Sequence, residues 1–430
     1  MRYRLDGTTQ RFARAVVGGS PLSLFRLTDA GVAVFDRLAH GDDVAGSRLT
    51  DRLVEAGVIH PVPAPSEGPF GRDDVTIVVP TLGTPRHVPA HPRVVVVDDG
   101  SPQAVAHADV RLARNAGPAA ARNAGLEMVT TPLVAFVDAD VSVDDGWLDA
   151  LLPHFADPQV ALVAPRVASA DGAPALARYE RSHSPLDLGT EPARVRAGSR
   201  VSYVPSAAVV IRVAALRQVG GFDVSLRVGE DVDLAWRLDA AGWRCRYEPS
   251  AVVHHDARPN WPAWWRQRVG YGASAGPLAV RHPGALAPLR MSGWSLAAWL
   301  LAAAGRPVAG AAVGLGSAAA LVPKLPDVPP AAAFRLAAAG NARAGEQIAM
   351  AVRRAWWPIL IVAAVRSRTA RKVLLASLLA AGDPLRALDD VAYSVGLWKG
   401  SLAARTAGPL VPDITSWPGR TSPTSPPPHR

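Results

Sequence analysis

The sequence contains little cysteine and little lysine. Each scarcity excludes or favours particular kinds of site and partner. A single cysteine, Cys245, excludes an intrachain disulfide, a zinc finger and an iron–sulfur cluster. Lysine occurs only at positions 324, 372 and 399, so the net charge of +9 comes almost entirely from arginine. The polar N-terminus lacks an apolar signal-peptide core, so we do not expect secretion. The basic excess leaves nucleic acid, anionic lipid or an anionic substrate as candidate partners.

Charged residues are also few, at 19% of a chain that is 49% hydrophobic, and this balance excludes a mainly disordered protein. A length of 430 residues allows two or three domains. Composition divides the chain into a small unit at 1–60, a Pro- and Gly-rich linker at 61–73, an α/β domain at 74–275, a helical region at 276–405 and a disordered tail at 406–430.

The first unit has the pattern of short strands, two helices and a return strand. Thr28 is placed to cap the first helix, and the second helix ends at Gly57. This order of elements predicts a winged-helix-like module. Many winged helices bind DNA, but the charges here are mixed in sign, which disfavours a surface that follows phosphates. We therefore expect no nucleic acid partner.

The central region alternates strands with helices. Residues 75–79 and 94–97 are continuous β-branched runs and 133–137 is a third apolar run, as expected for parallel strands buried on both faces. Helical stretches occur at 119–128 and 147–155. This alternation predicts an α/β domain with a mostly parallel sheet, whose ligands bind at the carboxyl edge of the strands.

Acidic residues stand at three element ends in this domain. They lie at 98–99 after the second strand, at 138–140 after the third, and at 230–231 where a helix begins. One such cluster is an ordinary polar turn after a core strand, but three predict a site. Paired acids at a strand tip suit a hard divalent cation, Mg²⁺ or Mn²⁺, that carries a diphosphate.

Six short motifs follow one another in the same domain. They are Val78–Thr81, Val97–Ser101, Arg114–Gly117 with Ala121–Gly125, Asp138–Asp140, Gly220–Asp223 and Gly229–Leu234. In this order they resemble the motifs of family-2 inverting glycosyltransferases of the GT-A fold. The resemblance covers about residues 74–255 and implies a UDP-sugar donor with a divalent metal ion, Mn or Mg, as cofactor.

This resemblance assigns roles to the residues at the motif positions. It implies that Asp231 is the catalytic base, with Glu230 as the alternative, and that Asp140 is the main metal ligand. Further metal contacts would come from Asp138, His255 and His254. The nucleotide sugar would bind at Pro80, Thr81, Asp98, Asp99, Arg114, Asn115, Gly117, Arg122 and Asp138. A structural role in the turn is the alternative for Asp98, and an internal ion pair is the alternative for Arg122.

Aromatic and basic residues follow the last strand of the domain. Trp264, Trp265 and Arg268 form a candidate acceptor or product channel, because indole rings stack on sugars and guanidinium groups bind diphosphate. The segment is similar to the Gln-x-x-Arg-Trp element of processive family members but departs from its order. An aromatic anchor at a membrane surface or at a helix interface is the alternative.

A winged-helix-like module directly before a family-2 domain resembles the glycosyltransferases of the mycofactocin pathway. That resemblance implies transfer of a hexose, glucose from UDP-glucose, to premycofactocin, a peptide-derived acceptor, with a β-linked glucan as product. The N-terminal module would bind this acceptor. Two alternatives stay open: a membrane-associated transferase of cell-wall or lipid-linked glycans, and a non-catalytic scaffold that binds sugar or peptide.

The C-terminal helical region contains apolar stretches shorter than a full membrane span, at 294–304, 308–322 and 356–365. The last of them is bordered by Arg353, Arg354, Arg366, Arg368, Arg371 and Lys372. Basic charge beside an apolar stretch favours anionic lipid. We therefore expect association with the cytoplasmic side of a bacterial membrane. A helical bundle packed on the catalytic domain is the alternative.

Overall fold

The protein is described by a computed structural model that covers residues 1–64, 68–170 and 174–416. It divides into two compact units, and the division falls between Trp264 and Trp265, earlier than the predicted domain end at 275. Part of the predicted linker, 65–67, lies outside the described residues.

The N-terminal module is built from seven elements around its own apolar core. They are β1 (Arg2–Leu5), β2 (Gln10–Phe12), β3 (Ala15–Gly18), β4 (Ser23–Arg26), α1 (Asp29–His40), α2 (Arg48–Glu55) and β5 (Ile59–Val62). Strand β1 pairs with β5, and β2, β3 and β4 form a separate antiparallel sheet. The hydroxyl of Thr28 accepts the N–H of Gly31 and caps α1 as the sequence predicts. Peptide binding by this module stays a prediction.

The central domain contains a nine-stranded mixed sheet. Its strands are β6 (Val75–Thr81), β7 (Val94–Asp98), β8 (Val110–Arg111), β9 (Leu133–Val137), β10 (Val141–Val143), β11 (Val160–Ser169), β12 (Ala193–Arg194), β13 (Ala208–Arg212) and β14 (Arg244–His255). They run in the order β10-β14-β11-β13-β9-β6-β7-β8, and β12 pairs with β14. The predicted α/β class is confirmed.

Most strands of this sheet run in one direction, as predicted, and three of the nine do not. Strand β13 runs antiparallel between β9 and β11, and β10 and β12 both run antiparallel to β14. The apolar runs indicate burial on both faces of the sheet, and such burial does not fix strand direction.

Five helices accompany this sheet: α3 (Pro118–Glu127), α4 (Trp147–Leu151), α5 (Pro174–His183), α6 (Val213–Gln218) and α7 (Glu230–Ala240). Helix α3 begins with Pro118 after Gly117, whose φ of 98° suits glycine. A side chain at Gly125 would come within 2.3 Å of Val78, so glycine lets α3 pack directly on β6. This close packing places the N-terminus of α3 beside the strand ends.

The second unit is helical, as predicted. Helix α8 (Trp261–Ala273) contains the unit boundary and is followed by α9 (Ala275–Arg281), β15 (Arg290–Ser292), α10 (Gly293–Ala303), α11 (Pro307–Leu321), α12 (Pro330–Ala351), α13 (Trp357–Ala364), α14 (Arg368–Leu379), α15 (Pro384–Ala403) and β16 (Asp413–Ser416). Glycines at 272 and 396 allow α8 and α15 to approach backbone to backbone.

The predicted disordered tail at 406–430 is wrong for its first part. Residues Gly408–Leu410 form a 3₁₀ turn, and β16 pairs in parallel with β15. Residues 417–430 lie outside the described part of the chain.

One helical stretch in the described residues, Pro307–Lys324, is long and apolar enough to cross a membrane, and 11% of it is buried. A single stretch of this kind is weak evidence, and association with a membrane stays a prediction.

Candidate active site

The ends of β6, β7 and β9 lie side by side and open into a cleft of about 470 Å³. The register pairs Thr81 with Asp98, so the acids that follow β7 and β9 flank the end of β6. Eight residues predicted to bind donor or metal line the cleft: Pro80, Thr81, Asp99, Asn115, Gly117, Arg122, Asp138 and Asp140. The sequence motifs therefore converge at the carboxyl edge, as expected for an α/β sheet.

Neighbouring acids at the end of β7 have different roles. Asp98 is fully buried, and its carboxylate accepts the N–H and hydroxyl of Ser101 and the N–H of Val105. Burial alone would raise the pKa of Asp98, but these bonds hold it below its ordinary value. Both oxygens of the Asp98 carboxylate accept hydrogen bonds within the turn. The prediction that Asp98 contacts the nucleotide is therefore corrected to its alternative, a structural role in the turn.

Asp99 points its carboxylate at the loop that precedes α3. Its two oxygens accept the backbone N–H groups of Ala116 and Gly117 at 2.8 and 2.9 Å. A side chain at Gly100 would come within 2.3 Å of the Arg114 backbone, so glycine is required where the two loops meet. Arg114 itself is exposed and is not among the described residues that line the cleft.

Asp140 has a histidine and an arginine within reach. Its Oδ2 lies 3.4 Å from Nε2 of His255 and 3.6 Å from a guanidinium nitrogen of Arg258. Burial acts to raise the pKa of Asp140, but His255 and Arg258 outweigh it and hold the carboxyl below its ordinary value. Asp140 is therefore an ionised acid at the mouth of the cleft.

His254 and His255 occupy successive positions on β14, opposite Ser142 and Val141 of β10. Successive strand residues point to opposite faces, so the two rings do not share one site. His255 reaches Asp140 and His254 does not, which corrects the prediction that both contact one metal.

Arg122 is the centre of a buried network. Its Nη2 donates to Asp138 at 2.6 Å and its Nη1 donates to Glu230 at 2.8 Å. Burial lowers the pKa of Arg122, but these two acids outweigh it and raise the pKa above the ordinary value. The internal ion pair, the alternative left open for Arg122, is what the structure shows.

Glu230 and Asp231 begin α7 on the far side of this arginine and are not among the described residues that line the cleft. Burial raises the pKa of Glu230 to about 7, with the charge of Asp231 acting in the same direction and Arg122 opposing them. Burial also raises the pKa of Asp231, against the N–H groups of Val232 and Ser206 that donate to it. Raised pKa values suit groups that must take up a proton.

The chain matches the family described as glycosyl transferase family group 2 over residues 133–378, more than half of its length. The chain belongs to this family. The glycosyltransferase is 43% identical to pre-mycofactocin glycosyltransferases from two strains of Mycobacterium tuberculosis, across 93% of this chain and 94% of each relative.

More distant likenesses cover parts of the glycosyltransferase. A poly-beta-1,6-N-acetyl-D-glucosamine synthase from Staphylococcus aureus is 23% identical over 40% of this chain and 42% of its own. A mannosyltransferase from Pyrobaculum calidifontis, solved with GDP-Man and Mn²⁺, is similar with a TM-score of 0.43 and 18% identity over 78% of this chain and 89% of its own.

The predicted acceptor residues of the glycosyltransferase are largely enclosed. Trp264 is 1% exposed and donates its indole N–H to Glu180, so its predicted stacking on a sugar is wrong. Arg268 is buried in an ion pair with Asp389 and is corrected in the same way. Trp265 is partly exposed, and its role stays a prediction. Composition identified this aromatic segment but could not show which side chains are enclosed.

Sequence reasoning missed four charged residues that line the cleft: Arg86, Arg227, Asp256 and Arg258. Arg86 pairs with Asp256, and Arg227 donates to Asn115. Asp256 and Arg258 directly follow the two histidines, which is the one signal that could have pointed to them. Together with Arg122 and the acids already described, these residues give the cleft four guanidinium groups and four acids, which suit an anionic ligand that carries a cation.

Proposed function

We propose that this glycosyltransferase moves glucose from UDP-glucose to premycofactocin and builds a β-linked oligosaccharide. The observation that carries the proposal is the 43% identity, along 93% of the chain, to relatives named pre-mycofactocin glycosyltransferase. The cleft supports the donor half of the proposal, because its arginines and acids suit a nucleotide diphosphate.

The donor cleft offers distinct contacts for each part of UDP. The positive, N-terminal end of the α3 dipole favours phosphate. Arg227 and Arg258 add guanidinium groups that match phosphate oxygens. The oxygens of Asp99 keep lone pairs beyond the two backbone bonds, and these can accept a uracil N–H.

The donor set fits a divalent cation held by few protein ligands. Asp140 and His255 supply an ionised oxygen and a ring nitrogen 3.4 Å apart, and such ions are commonly held by one or two carboxylates together with substrate phosphates. No group of three such residues that could form a closed cage occurs in the described ranges. Asp138 is the weaker ligand, because Arg122 already occupies its Oδ1. A bound cation would supply charge that neutralises the departing diphosphate.

The acid pair suits the role of general base. In the proposed reaction, an acceptor hydroxyl attacks the anomeric carbon from the side opposite UDP and gives its proton to Asp231. The bond from that carbon to the diphosphate oxygen breaks, UDP leaves, and the anomeric configuration inverts. Asp231 is preferred to Glu230 because it is partly exposed, whereas Glu230 is 6% exposed.

Mass spectrometry of the purified protein with premycofactocin and a panel of nucleotide sugars tests the proposal. We expect hexose increments on premycofactocin with UDP-glucose. A hexose increment only on a lipid acceptor would contradict the assigned acceptor and support the cell-wall alternative.

The metal assignment has its own test. Asp140→Ala should abolish turnover and the metal-dependent part of UDP binding, measured by calorimetry with and without Mn²⁺. Asp145→Ala, an exposed acid on the following loop, is the matched control and should bind UDP as the wild type does. Unchanged metal dependence in Asp140→Ala would move the metal elsewhere.

We further propose that the second unit contacts an anionic membrane surface. Ile359, Ile361, Val362 and Val365 around α13 are all more than half exposed. Of the six basic residues that border this stretch, Arg353 and Arg354 pair internally with Asp390, whereas Arg366, Arg368, Arg371 and Lys372 are exposed.

Flotation with phosphatidylcholine vesicles, with and without phosphatidylglycerol, tests the membrane proposal. Binding should require the anionic lipid and should weaken by about 1 kcal/mol for each of Arg366, Arg368 and Arg371 changed to Gln. Arg48→Gln on the N-terminal module is the control. Equal binding to both vesicle types would exclude the electrostatic attraction.

A further inference from the structure

Arg122 joins two parts of the site that the sequence treats separately. It comes from α3, and its guanidinium bonds Asp138 at the end of β9 and Glu230 in the first turn of α7. The phenyl ring of Phe222 lies 5.4 Å from the guanidinium carbon and covers one face. Because the guanidinium is a rigid fork, the two bonds fix where Glu230 stands relative to the donor cleft.

This network is not built for stability alone. The Nε atom of Arg122 is buried and has no hydrogen-bond partner among the described residues. A buried donor without a partner lowers stability, and a partly satisfied buried network is worse for stability than an apolar core. An arginine kept under these conditions points to a role in the reaction.

We propose that Arg122 is a positioning residue that anchors Glu230 to the donor side of the site, so that Asp231 is left to take the acceptor proton. This inference rests on the proposed role of Asp231. It differs from the donor contact predicted for Arg122 from the sequence, because the arginine would act through the acid pair and not on UDP.

The charge around the pair gives the proposal a measurable consequence. Glu230 is faced by Arg122 from α3, by Asp138 beyond that arginine and by Asp231 on its own helix. Arg122 opposes the rise in the pKa of Glu230 that burial and Asp231 cause. Removing the arginine's charge should make the pair take up its proton at a higher pH.

Two variants of Arg122 separate charge from geometry. Arg122→Gln removes both, and it should lower kcat about 10²-fold while the KM for the donor changes by less than about threefold. In a plot of kcat against pH, the acidic limb of this variant should move to higher pH. Arg122→Lys keeps the charge without the fork, so it should lose kcat while its acidic limb stays where the wild type has it.

Arg237→Gln is the matched control. Arg237 also forms an ion pair on α7, with Asp233, and its other nitrogens donate to the backbone oxygens of Val219 and Gly221, so its contacts differ from those of Arg122. Its acidic limb should equal that of the wild type. A loss of UDP affinity in Arg122→Gln as large as the loss of kcat would overturn the proposal and restore the donor contact. An unchanged limb in Arg122→Gln would overturn it as well.

A readout without turnover keeps this inference apart from the proposed function. The thermal midpoint should fall as pH rises through about 7, because the folded protein holds a proton on Glu230 that the unfolded chain releases. Arg122→Gln should move that fall to higher pH. If the midpoint curve shifts but no acceptor is glycosylated, the proposed function is rejected and the coupling of Arg122 to the proton on Glu230 is retained. If the midpoint curves of Arg122→Gln and the wild type are identical, that coupling is rejected. If Arg122→Gln does not fold, Arg122→Lys decides the proposal, since wild-type kcat in that variant would overturn it.

Discussion

Two clusters of arginines and acids in the first unit differ in how many arginines contact each acid. At the site, the single Arg122 is shared between Asp138 and Glu230. At the base of the N-terminal module, Glu55 accepts from both Arg194 and Arg244, at 3.2 and 2.6 Å. In the same second cluster, Asp157 accepts from Arg244 and Arg246.

The number of arginines per acid decides how these groups titrate. Burial acts to raise the pKa of Glu55, Asp157 and Glu230 alike. At Glu55 and Asp157 the paired arginines outweigh burial and lower the pKa. At Glu230 one shared arginine does not, and the pKa rises to about 7. The cluster around Glu55 therefore keeps its acids ionised, so that they form ion pairs. The cluster around Arg122 contains an acid whose pKa is about 7, and this acid can exchange a proton near neutral pH.

The second cluster, around Glu55, also explains how the N-terminal module is attached. Glu55 ends α2, whereas Arg194 and Arg244 belong to β12 and β14 of the central sheet. A second link joins Asp6 of the module to Arg200 at 3.3 Å. These ion pairs hold the module against the sheet domain, so we expect an acceptor bound by the module to arrive from a fixed direction.

The largest effect should come from replacing Asp231, the partly exposed acid of the cluster around Arg122. Asp231→Asn keeps the shape but cannot take a proton, so transfer should fall about 10²–10⁴-fold while UDP binding is retained. Initial rates and calorimetry check the two parts. The control is Asp149→Asn, an exposed acid paired with Arg72. Normal transfer by Asp231→Asn would move the base to another residue.

This contrast shows what the sequence could and could not predict. The acids at strand ends were found because a motif fixes their place along a strand or helix, and Asp99, Asp138 and Asp140 all reach the cleft. The partners were not found, because Arg122 meets Glu230 across 108 residues of sequence. The sequence could not predict that Trp264 is enclosed for the same reason, since its partner Glu180 lies 84 residues away in the sequence.

A smaller effect should come from removing one charge from the cluster around Glu55. Glu55→Gln leaves Arg194 and Arg244 short of one charge, but the Glu55 side chain is 36% exposed, so solvent screening limits the cost to about 1–2 kcal/mol. Denaturant unfolding measures this loss. The KM for the peptide-derived acceptor should rise more than the KM for the donor.

Asp42→Asn, an exposed acid of the same module, is the control for Glu55→Gln and should change neither stability nor KM. Equal increases in both KM values for Glu55→Gln would contradict the view that the cluster serves the acceptor, and would leave it a purely structural contact.

The smallest effect is a difference in how the two clusters respond to pH. Glu55 and Asp157 have lowered pKa values in the folded protein, so their contribution is present above their ordinary values of 4.5 and 3.8 and is lost as pH falls through the folded values. Glu230 has a raised pKa, so the folded state binds the extra proton between 4.5 and about 7, and stability declines as pH rises through that window.

Thermal midpoints of the wild type, Glu55→Gln and Glu230→Gln between pH 3 and 9 separate these two slopes. Glu230→Gln should remove the decline toward neutral pH, and Glu55→Gln should reduce the loss in acid, each by a few degrees at about 2–4 °C per kcal/mol. Because the two clusters lie in one compact unit, a single unfolding transition should report both. If both variants changed the same limb, the ratio of arginines to acids would not be what sets these pKa values, and the contrast between the cluster around Glu55 and the cluster around Arg122 would fail.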